Sequence, residues 1–149
     1  MPPTAHDVVE PEVFLRELVC FNFYRGWRGI SEHYRKYLPH GISAQQSYIM
    51  EICEPEKGVL VSHIAHILEI DISAISGMLR RMEKASLIRR EIPPENRRQT
   101  LVYLTEEGAA LREKVRVTMI EADEVLRATI PQPMIKELIK LVDKIRDLG

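Results

Sequence analysis

Residues 61–104 contain the feature that most limits how this chain can fold: two short helical patterns followed directly by two β-prone runs. The first helix is predicted over 61–68, and the second begins at Asp71, a good N-cap residue, and ends near Ala85. The second helix has one apolar face, formed by Ile75, Met78, Leu79 and Met82. Two helices joined by a turn of three or four residues, with basic residues after the second, are typical of a helix-turn-helix.

The two β-prone runs, 87–92 and 100–104, are separated by Pro93, Pro94, Glu95, Asn96, Arg97 and Arg98. This composition predicts a β-hairpin whose turn starts with two rigid prolines and ends with two adjacent arginines. A hairpin in this position, directly after a helix-turn-helix, forms a wing. The order of elements therefore predicts a winged helix-turn-helix over residues 43–105.

The positive charge of the chain is concentrated in the same segment. Although the formal net charge is −1, residues 73–98 carry seven basic and only three acidic side chains. Released counterions drive the association of such a patch with the phosphate backbone of DNA. A solvated charged surface would have the same composition, and for Arg89 and Arg90 a solvated strand face is the alternative to DNA contact. The charge pattern alone leaves both interpretations open.

Helical patterns flank this segment on both sides. Before it, residues 11–38 predict one long helix, and a second helix begins at Ser43, whose capping-box partner is Gln46. After it, Thr105 caps another long helix, and a last helix is predicted over 134–148. The first of these helices carries an apolar stripe at Val19, Phe23, Trp27, Ile30, Tyr34 and Leu38.

The apolar stripes of the flanking helices exceed what one thin domain can cover, and a second copy of the chain would bury them. We therefore predict a mainly α single chain, 1–149, with a small β-hairpin wing. Residues 11–40 and 106–149 would form the helical dimerisation region around the DNA-binding region, 43–105. A two-fold homodimer also matches palindromic double-stranded DNA, because its two recognition helices lie about one helical turn, roughly 34 Å, apart.

Composition and motifs argue against several other classes of protein. No apolar segment approaches the roughly 20 residues that cross a bilayer, and no secretion signal opens the chain, so we expect a cytoplasmic protein without membrane contact. Cys20 and Cys53 have no metal-ligand spacing and are expected to be reduced thiols without a disulfide. His63 and His66 lack further ligands, and no catalytic set appears. We expect no metal, no cofactor and no enzyme activity.

The run "DISAISGMLRRMEKASLIRREIPPENRRQTLVYLTEEGAAL", residues 71–111, resembles the MarR (multiple antibiotic resistance regulator) family of transcription factors. The family's wing pattern is Asp-x-Arg followed by an apolar strand and Leu-Thr, which is similar to Asn96, Arg97 and Arg98 followed by 101–105. Asn96 stands where the family usually has Asp. A carboxylate would hold the wing arginine by a charged hydrogen bond, whereas an amide accepts only a neutral one.

The resemblance also implies which residues contact DNA. Arg98 would enter the minor groove, and Arg97 would lie beside it against phosphate. Three residues at the start of the recognition helix would face base edges in the major groove: Ser73, Ala74 and Ser76. Arg80 and Arg81 lie further from that helix start, so they are expected to contact phosphates.

Members of the family usually lose DNA affinity when something happens in the crevice between the dimerisation helices and the DNA-binding regions. The resemblance implies a small aromatic or anionic effector bound among six residues: Phe21, Tyr24, Trp27, Arg28, Tyr48 and Ile52. The alternative is that these side chains are simply core and dimer seam.

A second sensing chemistry is open as well. Cys20, with Tyr34 further along the helix, resembles the organic-hydroperoxide-sensing branch of the family, in which tyrosine hydroxyls hold a reactive cysteine. The two residues are fourteen positions apart on one helix, a separation of about 21 Å, so they could meet only across a dimer interface.

Two classes of function stay open. The favoured one is a homodimeric, sequence-specific DNA-binding transcriptional regulator, a repressor that leaves its operator when an effector binds. The other is a winged helix that binds only proteins and has no affinity for DNA. Modules of the second kind tend to lack the basic wing and recognition helix that this chain has.

Overall fold

The computed structural model describes residues 10–149, which form seven helices and three short strands. In chain order they are α1 Pro11–Glu17, α2 Val19–Arg35, α3 Ala44–Ile52, β1 Val59–Leu60, α4 Val61–Leu68, α5 Ile72–Lys84, β2 Ile88–Glu91, β3 Leu101–Leu104, α6 Glu106–Thr129 and α7 Gln132–Arg146. The mainly α winged helix-turn-helix predicted from the sequence is confirmed. Within this described part of the chain, no helix combines the length and the apolar character needed to cross a membrane.

The single long helix predicted over 11–38 is wrong, because the chain is extended at Leu18 (φ −78°, ψ 134°) and two helices, α1 and α2, result. The side chain of Asn22 accounts for the break. Its amide donates a hydrogen bond of 2.8 Å to the carbonyl oxygen of Arg16, a group that a continuous helix would have bonded internally. It donates a second bond of 2.8 Å to the Leu18 carbonyl, which also accepts the backbone N–H of Asn22 at 3.2 Å. Asn22 thereby stabilises the end of α1.

The start of α3 follows its sequence signal closely. The Ser43 hydroxyl accepts from the Gln46 backbone N–H at 3.1 Å, and the Gln46 side-chain oxygen accepts from the Ser43 N–H at 3.0 Å. This is the predicted capping box. Thr105 likewise caps α6, where its hydroxyl accepts from the backbone N–H of Gly108 at 2.9 Å.

The sheet has one strand more than the hairpin predicted from the sequence. Its order is β1-β3-β2, with both pairings antiparallel, and Val59 of β1 lies opposite Val102 of β3. A strand of two residues between a turn and a helix carries no periodic signal of its own. Through its pairing with β3, it joins the beginning of α4 to the base of the wing hairpin.

The hydrophobic core lies between α3, α4, α5, the sheet and α6. Its fully buried side chains include Ile49, Met50, Ile64, Ile75, Leu79, Met82, Ile88, Val102, Leu104 and Val115. Three of the four predicted apolar positions of α5 are therefore buried, and Met78 packs against the core at its edge. Burial of this face turns the opposite side of α5 to solvent.

The last helix begins two residues earlier than predicted. Pro133, which lies just before the predicted start, is in the first turn of α7, where the missing N–H of proline has no helical partner to lose. In the part of the chain that the structure describes, neither α7 nor α1 contains a buried residue.

Candidate nucleic-acid interface

The exposed side of α5 presents the residues that the sequence assigned to DNA. Ser73 and Ala74 are exposed at its first turn, and Arg80 and Arg81 are exposed seven positions further on, roughly 10 Å along the helix axis. Ser76 is half-buried, and its hydroxyl donates to the Ile72 carbonyl at 3.1 Å. In the free protein the Ser76 hydroxyl can therefore accept a hydrogen bond from a nucleobase, but its proton is already donated to Ile72.

Asp71 stands at the N-cap of α5, as predicted, with the extended backbone that a cap requires (φ −73°, ψ 150°). Its carboxylate, however, accepts no hydrogen bond from the helix. The side chain is exposed to solvent.

The turn of the wing is closed by Asn96. Its backbone N–H donates to the Pro93 carbonyl at 3.1 Å, and its side-chain oxygen accepts from the backbone N–H of Arg98 at 3.1 Å. The neutral hydrogen bond expected of an amide is thus formed, but with the backbone of the wing arginine and not with its guanidinium. Pro93 is buried, so the turn is anchored at its first residue.

Four arginines around α5 and the wing are exposed and make no ion pair with any residue in the described range, 10–149: Arg80, Arg81, Arg97 and Arg98. Unpaired guanidinium groups need not break an internal contact before binding a phosphate or a groove edge. These four guanidinium groups are consequently available to a polyanion.

Arg89 and Arg90 differ from these four arginines because acidic partners hold both. Arg90 Nη2 lies 2.8 Å from Glu83 Oε1, and this hydrogen bond lowers the pKa of the Glu83 carboxyl. Arg89 Nη1 lies 3.2 Å from Glu91 Oε2, and its guanidinium lies 4.0 Å from the centre of the Tyr103 ring. These ion pairs within the chain favour the interpretation that Arg89 and Arg90 lie on a solvated face of the strand and do not contact DNA.

A pocket of about 230 Å³ separates α5 from the wing, and its lining includes Ser76, Leu79, Arg90, Arg98 and Gln99. The recognition helix and the wing arginine therefore border one concave surface. Arg98 comes to this position through the hydrogen bond from its backbone to Asn96 and through the pairing of β2 with β3.

The structure brings only some of the predicted effector residues together. The rings of Phe21 and Tyr24 stack with centres 5.8 Å apart, and the Arg28 guanidinium lies 5.9 Å from the centre of the Tyr24 ring. Trp27 is exposed on the same helix. These four residues of α2 form an aromatic and cationic surface.

The two predicted effector residues on α3 lie in a different environment. Tyr48 and Ile52 are partly buried against the core, and burial raises the pKa of the Tyr48 hydroxyl. Ile52 borders a separate cavity of about 530 Å³, whose lining includes Gly58, His63 and Ile67. Within one chain, the six residues do not line one pocket.

The two cysteines are free and differ in exposure. Cys53 is buried, and burial raises the pKa of its thiol to about 12, so at neutral pH it is protonated and a poor nucleophile. Cys20 is exposed on α2, whereas Tyr34, on the same helix, is buried, and this burial raises the pKa of its hydroxyl. Cys20 and Tyr34 are too far apart along α2 to touch within one chain.

Sequence reasoning missed two arginines of α6 that contact α3. Arg112 Nη1 donates to the Cys53 carbonyl at 2.7 Å, and Arg116 donates twice to the Glu51 carboxylate. This part of α6 contains both acidic and basic residues, a pattern that predicts an ordinary solvated helix face. No local signal could have found these contacts, because their partners lie about sixty positions earlier in the chain.

Comparison with known proteins identifies the family. The sequence profile of the MarR family matches residues 42–100. The organic hydroperoxide resistance transcriptional regulator of Bacillus subtilis is 31% identical over 101 residues, which cover 67% of this chain and 69% of that protein. The HTH-type transcriptional regulator MgrA of Staphylococcus aureus is 27% identical over 134 residues, which cover 88% of this chain and 89% of that protein.

Solved structures share the fold. The PcaV transcriptional regulator from Streptomyces coelicolor, in complex with its natural ligand, superimposes with a TM-score of 0.81 at 16% identity, over 95% of this chain and 97% of that chain. The transcriptional repressor CouR, bound to a 23-mer DNA duplex, superimposes with a TM-score of 0.76 at 19% identity, over 94% and 99%. From the profile match and the sequence relatives, this chain belongs to the MarR family and is a DNA-binding transcriptional regulator.

Proposed function

We propose that this regulator is a repressor that binds a palindromic operator as a homodimer and leaves it when a small aromatic or anionic effector binds. The observation that carries the proposal is a group of exposed arginines that make no ion pair with residues 10–149: Arg80, Arg81, Arg97 and Arg98. They lie around the recognition helix and the wing of a chain whose formal net charge is −1, so the positive charge is local. CouR, a repressor of the same fold, is bound to a DNA duplex.

Each residue has a defined part in the proposed complex. Ser73, Ala74 and Ser76 face base edges in the major groove, and this role agrees with the exposure of the first two. Arg98 enters the minor groove, because the wing extends beside the recognition helix across the intervening pocket. The remaining three, Arg80, Arg81 and Arg97, bind phosphates and fix the register of the protein on the duplex.

The helices outside the DNA-binding region support the homodimer. Among the described residues, 10–149, neither α1 nor α7 buries a side chain, yet both carry large apolar side chains. The exposed ones include Val13, Phe14, Leu15, Met134, Leu138, Ile139, Leu141, Val142 and Ile145. Apolar faces of this extent are characteristic of protein interfaces, and a two-fold partner would cover them with its own copies. The dimerisation region that we propose is 11–40 and 106–149.

We expect the Ile139→Glu variant to weaken the dimer. Ile139 is exposed on α7, and burying it in two symmetric copies would contribute about 3 kcal/mol or more. The dimer dissociation constant should rise roughly 100-fold, and affinity for a palindrome should fall with it. Analytical ultracentrifugation measures the first effect. Lys136→Glu on the same helix is the control, and a dimer equally stable in both variants would contradict the assignment.

The test of the whole function is selection from a library of random duplexes. An enriched palindrome bound by two chains supports the repressor proposal, and a panel of aromatic acids is then titrated against that complex. Release by an acid, abolished by Arg28→Gln, would assign the effector to the surface formed by Phe21, Tyr24, Trp27 and Arg28. If no duplex were enriched, the alternative of a protein-interaction module would replace the operator proposal.

A second candidate function is redox sensing through Cys20. Two observations favour it: Cys20 is exposed, and the Bacillus subtilis relative is named for organic hydroperoxide resistance. In this version Tyr34 of the partner subunit would approach Cys20, because Tyr34 of the same chain is too distant.

We expect hydroperoxide, under the redox proposal, to release the wild-type protein and the Cys53→Ala variant from DNA but not the Cys20→Ser variant. The reason is that only a thiol that forms a thiolate reacts readily, and burial keeps Cys53 protonated. Fluorescence anisotropy of a labelled operator gives the measurement. Release of Cys20→Ser at the wild-type peroxide concentration would exclude Cys20 as the sensor.

A further inference from the structure

Two arginines of α6 form hydrogen bonds to the carboxyl end of α3. Arg116 forms a forked pair with Glu51, in which Nε lies 3.1 Å from both carboxylate oxygens and Nη2 lies 2.8 Å from one of them. One helical turn earlier, the Arg112 side chain is only 13% exposed, and its Nη1 donates to the Cys53 carbonyl at 2.7 Å. Two guanidinium groups, one turn apart, therefore hold the same helix end.

The acceptor used by Arg112 belongs to the C-cap of α3. Carbonyl groups at a helix C-terminus have no partner within the helix and carry the negative end of its dipole, so a buried cation is favourable there. Glu54, the next residue, places Oε1 3.4 Å from the same Arg112 nitrogen. The contact thus fixes the point where α3 ends and the chain turns towards β1.

The same turn is bonded to the root of the wing. The Glu54 carbonyl accepts from the Leu104 N–H at 2.9 Å, in the last residue of β3. The start of α4 is joined to the wing as well, because the Val61 N–H donates to the Thr100 carbonyl at 3.1 Å. A short series of contacts therefore runs from α6 through the end of α3 to the wing and the helix-turn-helix.

We propose that Arg112 and Arg116 are positioning residues that set the half-site spacing this regulator selects. The inference rests on the proposed homodimer and palindromic operator, in which α6 connects the partner subunit to the DNA-binding region. Both guanidinium groups are occupied by α3, so they act on DNA through the angle between α6 and the DNA-binding region. A rigid angle holds two recognition helices at one separation, whereas a loosened one accepts several.

The experiment compares affinities for operator duplexes that differ only in the distance between half-sites. The wild-type protein selects its operator from random duplexes, and one base pair is then inserted or removed at the centre, which moves the half-sites by roughly 3.4 Å and rotates them by about 34°. We expect the wild type to lose at least about tenfold in affinity, and Arg116→Gln and Arg112→Leu to lose less than about threefold. The charge swap Glu51→Arg with Arg116→Glu should restore the wild-type discrimination.

Arg127→Gln is the matched control, because Arg127 pairs with Asp123 on the same helix and that contact does not reach α3. It should discriminate between spacings as the wild type does.

A role of the two arginines in folding alone would lower affinity for every spacing by the same factor, and this outcome would overturn the proposal. Arg116 and Glu51 are both partly exposed, so the Arg116→Gln result decides the question if Arg112→Leu fails to fold. A wild type that selects no palindrome would refute the operator proposal, and the spacing proposal would fall with it.

Discussion

Replacing Gly108 by alanine is expected to destabilise this protein by about 3 kcal/mol. A Cβ atom at this position would lie far inside van der Waals contact of the carbonyl oxygen of Leu87. That carbonyl cannot easily turn away, because it accepts the Thr105 N–H at 3.1 Å. Backbone on both sides must move apart, at the point where α6 meets the wing. The shift of the urea or thermal unfolding midpoint gives the measurement.

Gly77→Ala provides the matched control, since Gly77 also lies within a helix. Its added Cβ would meet only the flexible end of Arg81, at an ordinary distance of 3.6 Å from Nη1. Alanine is the better helix former, so this variant should be more stable than the wild type by about 0.5–1 kcal/mol. Unfolding of Gly108→Ala at the wild-type midpoint would show that α6 does not pack against Leu87 in this way.

The second large effect is expected for Arg98→Glu, which should weaken operator binding about 100-fold. Removing a groove contact costs roughly 1–3 kcal/mol, and the new carboxylate adds repulsion from phosphate. For a dimer, the slope of log affinity against log salt concentration should become shallower by about 2, because each chain loses one cationic contact. Anisotropy titrations at several salt concentrations measure both quantities.

Arg89→Glu makes the same change of charge in the neighbouring strand and serves as the control for Arg98→Glu. Arg89 already pairs with Glu91 and stacks on Tyr103, so its loss should affect DNA binding far less. Equal affinity of Arg98→Glu and wild type would argue against the minor-groove role of the wing. Equal losses in both variants would mean that overall charge, and not the position of Arg98, controls binding.

The sequence alone sufficed to predict the winged helix-turn-helix, because its signals are local. The Ser43 and Gln46 capping box, the Thr105 cap and the apolar spacing of α5 involve residues within one or two helical turns of each other. The prolines and arginines of the wing are adjacent in the chain as well. Physical chemistry acting over so few residues is nearly independent of the rest of the fold, so the prediction holds.

Other features depend on contacts between distant residues. Strand β1 exists because Val59 meets Val102, and Gly108 is constrained by a carbonyl that belongs to Leu87. The predicted effector residues were grouped by resemblance, yet burial divides the exposed surface of α2 from Tyr48 and Ile52 on α3.

What the sequence determined by itself is the helix-turn-helix, the wing and the caps of α3 and α6, but not the division of the first helical segment into α1 and α2. Tertiary structure decided which arginines have partners: Arg90 pairs with Glu83, Arg112 with the Cys53 carbonyl and Arg116 with Glu51. The Arg98 guanidinium makes no ion pair with any residue of 10–149, and Asn96 bonds only the backbone of Arg98. The physical reason is that the residue type alone fixes the charge of a side chain. The partner that neutralises or frees that charge is chosen by packing between elements far apart in the chain.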